Sequence, residues 1–404
     1  MNQSDTLALA NAPVDMPSSG RILMALLARL QHGHLVVRTP DGAHLEFGPA
    51  DSDLRADLSI HDWRACQQIF SAGDIGLAHA WRQQWLGSHD LTALLRLALR
   101  NQAAIQRLIS GSMLTRCWFW LQHQLRPNSR KGSRENIHSH YDLGNHFYEL
   151  WLDGSMTYSA ALFEGNYNQS LEAAQHAKYQ RILDQLGVLP GQSILEVGCG
   201  WGGFAVYAAT QGIRVHSITI SAAQLEWAQR RVAQLQLQDW VRLELRDYRD
   251  LSGQYDAIVS IEMFEAVGQR YWPGYFRCLQ ERLKPGGKAL VQSITIDESY
   301  FKQYQRSSDF IREYIFPGGM LPSPERFVAA AQQQGLQHLD SYAFGRDYAE
   351  TLRRWRHAFG AHSEAVQAQG FDAAFQRTWH MYLCYCEAGF DEGRTDVYQF
   401  LLQA

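Results

Sequence analysis

The stretch ILEVGCGWGGFA, Ile194 to Ala205, constrains the fold of this chain more than any other. An apolar run ends in an acid, passes through Gly198, Gly200, Gly202 and Gly203, and opens what reads as a helix. A loop so rich in glycine leaves room for something to approach the backbone where a Cβ would stand in the way. Around it SILEVG, RVHSITI, VRLELRDY, YDAIVSI and KALVQSITI read as strands separated by segments of helical length. That alternation predicts an α/β fold, a parallel sheet with helices on both faces. Helix starts agree: SAAQ, Ser221 to Gln224, has the spacing of a capping box, and SPERF puts Pro324 at a first helical position behind Ser323.

Open parallel sheets bind ligands beyond the carboxyl ends of their strands, which is where EVGCGWGG stands. A dinucleotide fold wants G-x-G-x-x-G and an acid at the end of the second strand; here that strand ends in TIS. An acid ahead of the first glycine, Glu196, resembles instead the S-adenosylmethionine-dependent methyltransferases, whose loop backs onto the methionine part and ribose of the cofactor. RDYRDL then places Asp247 where those enzymes hold the adenine, and LKPGGKALV resembles a late turn and strand of the same Rossmann-like, class I sheet.

A chain of 404 residues exceeds what one hydrophobic core organises, so two domains are expected. Residues 1–125 read as a smaller, mostly helical N-terminal domain, with RILMALLARL and DLTALLRLALRNQAAIQRLI at helical spacing. RPNSRKGSREN, residues 126–136, reads as a linker, and 137–404 as the methyltransferase domain. A formal charge of −4 speaks against nucleic acid, while the linker suits anionic headgroups, at roughly 1 kcal/mol per basic residue. Six scattered cysteines fit a reducing cytoplasm and no metal site. Cys384 and Cys386 sit two apart on a helical pattern and do not share a face. The first twenty residues have neither a basic leader nor a long apolar core, and no later run is long enough to span a membrane.

Reading outward from the loop, the sequence resembles the cyclopropane-fatty-acid synthase family. The likeness is carried by IHSHYDLGNHFYELWLDGSMTYSAALFEG, LEVGCGWGGFA, ITISAAQ, RDYRDL, SIEMFEAVG, DFIREYIFPGGMLPS and FGRDYAETLRRW. It implies transfer of one carbon from S-adenosylmethionine to the cis double bond of an unsaturated phospholipid acyl chain, by a cytoplasmic enzyme touching the inner face of the membrane peripherally. The sequence is compatible with a homodimer. An alkene attacks a sulfonium methyl only when held in line, and the cation formed needs a dry pocket. Tyr141, Phe147, Tyr148, Trp151, Tyr158, Phe264 and Tyr348 are candidates to line one and to face the cation.

In this family the closing proton is implied to go to a bound bicarbonate. By position its ligands are Glu265, Tyr348 and Ile294, with Gln292 and Ala160 standing where better-known bacterial members carry His and Cys. The plant-like branch, which SSDFIREYIFPGG resembles, carries Gln there too. For the cofactor the resemblance implies Tyr158 and Ser159 over the methionine end, and Gly198, Gly200, Gln224 and Asp247, with Thr219 and Ser221 near the ribose. Gln224 reads equally as the capping-box partner. Three alternatives remain: a methyl- or methylene-branched product on the same fold, a small-molecule methyltransferase, and a non-catalytic lipid-binding protein.

Overall fold

In the computed structural model, residues 16–102, 105 and 143–404 are described; the expected linker, Tyr141 and Cys117 lie outside them. The described residues form two compact units. The first joins the N-terminal part to two later segments, 306–315 and 363–392; the second takes the rest. The contiguous division expected from the sequence is corrected by those two segments. Helix Ala373–Asp391 buries Met381, Cys384 and Ala388 along one face, an apolar stripe that needs a facing helix. The first unit supplies one, Leu91–Arg100, whose Arg96 and Arg100 both donate to Glu392, at 2.7 and 2.9 Å. Its sheet has the order β2-β1-β3-β4, built from His34–Arg38 (β1), His44–Phe47 (β2), Arg55–Ile60 (β3) and Leu86–Gly87 (β4).

The second unit is built on a seven-stranded sheet. Its strands are Ser193–Val197 (β5), Arg214–Thr219 (β6), Val241–Leu245 (β7), Tyr255–Ile261 (β8), Leu283–Ile296 (β9), Gln337–Ala343 (β10) and Thr395–Gln403 (β11). Their order is β10-β11-β9-β8-β5-β6-β7. β5 to β9 pair in parallel as expected, whereas β11 runs antiparallel to both β9 and β10. The five strands expected from the sequence thus form the parallel part, and two strands it did not show, β10 and β11, complete a mixed sheet.

Successive apolar residues of the strands serve opposite faces. Leu195, Ile258, Val291 and Leu402 pack with Phe264, Phe276 and Phe327 on one side; Ile194, Val259, Leu290 and Leu401 pack with Phe204, Ala205 and Val215 on the other. Each such side chain contributes about 1.5–3 kcal/mol when fully buried, which holds the carboxyl ends of β5 and β8 side by side. The two expected helix starts are made: Ser221 accepts from the Gln224 amide at 3.3 Å, and Ser323 from the Arg326 amide at 3.3 Å.

Candidate active site

The glycine loop leaves β5 and is pinned to β6, because the amides of Gly198 and Cys199 both donate to the Ile218 carbonyl, at 3.1 and 2.9 Å. Gly198, Gly200 and Gly202 have φ of 93°, 49° and 83°, which side-chain-bearing residues adopt at a cost of roughly 1–2 kcal/mol. The glycines are not equivalent. A Cβ on Gly203 would stand 2.7 Å from the Tyr179 hydroxyl and 2.9 Å from Thr157 Oγ1, so that position is closed by packing. A Cβ on Gly200 would meet no protein atom within 4 Å. The backbone at Gly200 thus borders open space, as a cradle for a ligand must.

Beyond β6, Thr219 Oγ1 accepts from the Ser221 amide at 3.1 Å and donates to Gln224 Oε1 at 3.2 Å. The Gln224 amide donates to the Ser221 hydroxyl, while its side chain, buried beside Thr219, does not reach back to the Ser221 amide, so only half of the expected capping box is made. Beyond β7, Asp247 is buried and accepts from Arg249 Nε at 2.8 Å and Nη2 at 2.6 Å. Tyr158 lies in an aromatic cluster, with ring centroids 5.5 Å from Tyr148, 5.4 Å from Trp151 and 5.3 Å from Trp355. Tyr148 in turn lies 4.8 Å from Trp201 of the glycine loop. Ser159, expected at the methionine end, is buried, and its hydroxyl accepts from Lys178 Nζ at 2.6 Å. Burial lowers that ammonium to a pKa of about 7, against the raising effect of Glu262 and Asp153.

The turn after β8 carries two glutamates three residues apart. Burial and the neighbouring Glu262 push Glu265 up to a pKa of about 8, so it is mostly neutral at pH 7. Its Oε1 accepts from the Ile294 amide at 2.5 Å and from Ser293 Oγ at 3.2 Å. Tyr348 and Gln292, expected to converge with Glu265, converge instead on Glu262. Tyr348 Oη donates to Glu262 Oε2 at 2.7 Å, while Gln292 Nε2 and the Ala160 amide donate to Oε1, both at 2.8 Å. Gln292 is oriented for this by Gln399 Nε2, which donates to its Oε1 at 3.1 Å from β11. Burial raises the Glu262 pKa too, but Tyr348, Lys178, the Ala160 amide and Gln292 all oppose the rise.

The sequence reading missed Glu262. Its signal was present in SIEMFEAVG, where a second acid stands just past the end of a buried strand. Glu262 also has φ 49°, rare for a residue with a side chain and characteristic of functional turns. The ligand set expected for bicarbonate is thereby split: Ala160, Gln292 and Tyr348 hold Glu262, and Ile294 holds Glu265. These donors are satisfied by a carboxylate of the chain itself, so they do not fit an added bicarbonate.

A sheet of this order, with a glycine loop after its first strand and polar turns after the next two, defines a class I, S-adenosylmethionine-dependent methyltransferase. The family model for mycolic acid cyclopropane synthetase matches residues 128–400, and the chain belongs to that family. It is 38% identical over 395 residues to the tuberculostearic acid methyltransferase UfaA1 of Mycobacterium tuberculosis, covering 93% of this chain and 90% of that one. It is 33% identical over 344 residues to the cyclopropane-fatty-acyl-phospholipid synthase of Escherichia coli K12, covering 83% and 84%. The structure of mycolic acid cyclopropane synthase CmaA1 complexed with SAH and CTAB superposes with a TM-score of 0.63 at 31% identity, covering 67% of this chain and 98% of that one. Fatty acyl methyltransferases that cyclopropanate or branch are thus the relatives of this enzyme. Among the described residues no group of side chains could hold a metal ion, and no helix is long and apolar enough to cross a membrane.

Proposed function

We propose that the enzyme adds the methyl carbon of S-adenosylmethionine to the cis double bond of an unsaturated acyl chain in a membrane phospholipid, and closes it into a cyclopropane. The observation that supports this reading most is the half-buried carboxylate of Glu262, held by three donors, in the same unit as an aromatic cluster. The cofactor supplies an electrophilic methyl group on a sulfonium. Gly200 gives it backbone access, and Thr219, Ser221 and Asp247 offer polar groups beyond the neighbouring strands. Tyr158, Trp151 and Trp355 present ring faces that stabilise a cation without trapping it as an alcohol. A carboxylate beside them accepts the proton that must leave.

A second reading, a methyl- or methylene-branched product, is favoured by the 38% identity to a tuberculostearic acid methyltransferase. The two part after the methyl is added: ring closure takes a proton from the added methyl carbon, a methyl-branched alkene takes one from the chain, and a methylene branch needs a 1,2-hydride shift before the methyl carbon loses its proton, while a saturated methyl branch needs a hydride donor as well. The protein works from the cytoplasmic side at the membrane surface, as a homodimer or a monomer, drawn there by the basic residues of 126–136. Labelled S-adenosylmethionine with vesicles of cis-monounsaturated phospholipid tests the function: the label enters lipid, and proton magnetic resonance of the product shows upfield ring protons. A methyl or methylene signal selects the second reading, and no lipid label rejects both. Co-sedimentation indifferent to anionic lipid and to salt rejects the surface attraction.

A further inference from the structure

The place in which the resemblance expects bicarbonate is filled by the chain. Ala160, Gln292 and Tyr348 come from a loop, a central strand and a helix, and their only shared acceptor among the described residues is the Glu262 carboxylate. Carboxylate and bicarbonate present the same face, a planar pair of oxygens sharing one negative charge, so one set of donors serves either but not both. The nearby cation, Lys178, already donates to Ser159 Oγ at 2.6 Å and to Gln175 Oε1 at 2.7 Å. Gln292 cannot take up a proton, and Gln399 turns its amide so that the NH₂ faces Glu262. The left-handed backbone of Glu262 is a strain that the surroundings hold in place, and it puts the carboxylate at the end of β8.

We infer that Glu262 is the enzyme's built-in base, standing where relatives are expected to hold an external anion, and that turnover needs no bicarbonate. The inference rests on the proposed transfer to an alkene. In that step the alkene's π pair bonds the sulfonium methyl, the sulfur departs as a neutral sulfide, and the second alkene carbon becomes a cation. A Glu262 oxygen then takes a proton from the added methyl group. The released C–H pair closes the ring, leaving a neutral hydrocarbon and a neutral carboxylic acid, which returns its proton to water after the product leaves. Loss of a chain proton to the same oxygen gives the branched alkene instead.

The test compares the full-length enzyme with Glu262→Gln and Glu262→Gly. Glycine suits the left-handed backbone and vacates the carboxylate's place, so it guards against a variant that fails to fold; cofactor binding by calorimetry checks both. With vesicles of cis-monounsaturated phospholipid in degassed buffer, wild type is expected to change less than twofold when bicarbonate is added. Glu262→Gln is expected to fall by roughly a hundredfold or more, the usual scale for a positioned base, with cofactor affinity unchanged. Glu262→Gly is expected to fall equally and to regain activity with millimolar bicarbonate or formate. A wild-type rate that drops tenfold on degassing, or a glycine variant as fast as wild type without added anion, overturns the inference. A separate arm needs no lipid turnover: ¹³C-bicarbonate should show saturable binding to Glu262→Gly and none to wild type. Binding to wild type overturns the inference even where no label enters lipid, an outcome that by itself rejects only the proposed function.

Discussion

The loop after β5 and the turn after β8 stand at the carboxyl ends of two hydrogen-bonded parallel strands, yet they make their sites by opposite means. The first works by leaving side chains out: Gly200 borders open space, and its neighbours are fastened by backbone bonds to Ile218. The second works by forcing a side chain in: Glu262 accepts a left-handed backbone so that its carboxylate meets three donors from distant parts of the chain. A site made by omission is specified locally, because each glycine answers only to its own φ and the space before it. A site made by convergence exists only once strands and helices have packed. Substitutions should therefore act differently in the two places.

The largest effect is expected in the loop. Gly200→Val should abolish measurable cofactor binding while the protein stays folded, since no protein atom lies in the way and the strained φ costs roughly 1–2 kcal/mol. Calorimetry with S-adenosylhomocysteine checks this, and unchanged affinity removes the loop as the cofactor site. Gly203→Ala, three residues on, should do the reverse. Its Cβ would press on Tyr179 and Thr157, lowering stability by about 1–3 kcal/mol in a thermal melt, and cofactor affinity should change little once the protein is folded.

Next comes Tyr348→Phe, which removes one donor to a charged acceptor, worth about 1.5–3 kcal/mol and so roughly ten- to a hundredfold in turnover. Because Tyr348 favours the ionised form of Glu262, its loss should also move the acid limb of the pH–rate profile upward. An unmoved limb would separate Tyr348 from the ionisation of Glu262.

The smallest effect on rate is expected at Glu265. Already largely neutral, it should tolerate Glu265→Gln with turnover changed less than roughly tenfold, far below the loss at Glu262. Its trace should appear in stability. The folded pKa of about 8 lies above the ordinary 4.5, so the stability this group contributes is complete below pH 4.5 and is lost as pH rises towards 8. Melting temperatures of wild type and Glu265→Gln between those limits should show a flatter decline in the variant. Equal slopes would mean that Glu265 is ionised throughout.

Five parallel strands, the glycine loop between the first of them and its helix, and the caps at Ser221 and Ser323 were legible in the chain, because alternation, backbone freedom and capping are properties of a few neighbouring residues. The sequence also marked the carbon-transfer family through motifs along much of the chain. It did not reveal β10 and β11: half-exposed strands such as Gln337–Ala343 lack a continuous apolar run, and β11 depends on pairing with a distant β9. The interleaving of 306–315 and 363–392 with the N-terminal part was equally hidden, since an apolar helix face does not name its partner. The choice between two glutamates three residues apart depends on how distant strands and helices pack. In sequence Glu262 and Glu265 are alike; in the folded protein the donors of Ala160, Gln292 and Tyr348 reach one carboxylate, while burial and the charge beside it hold the other neutral.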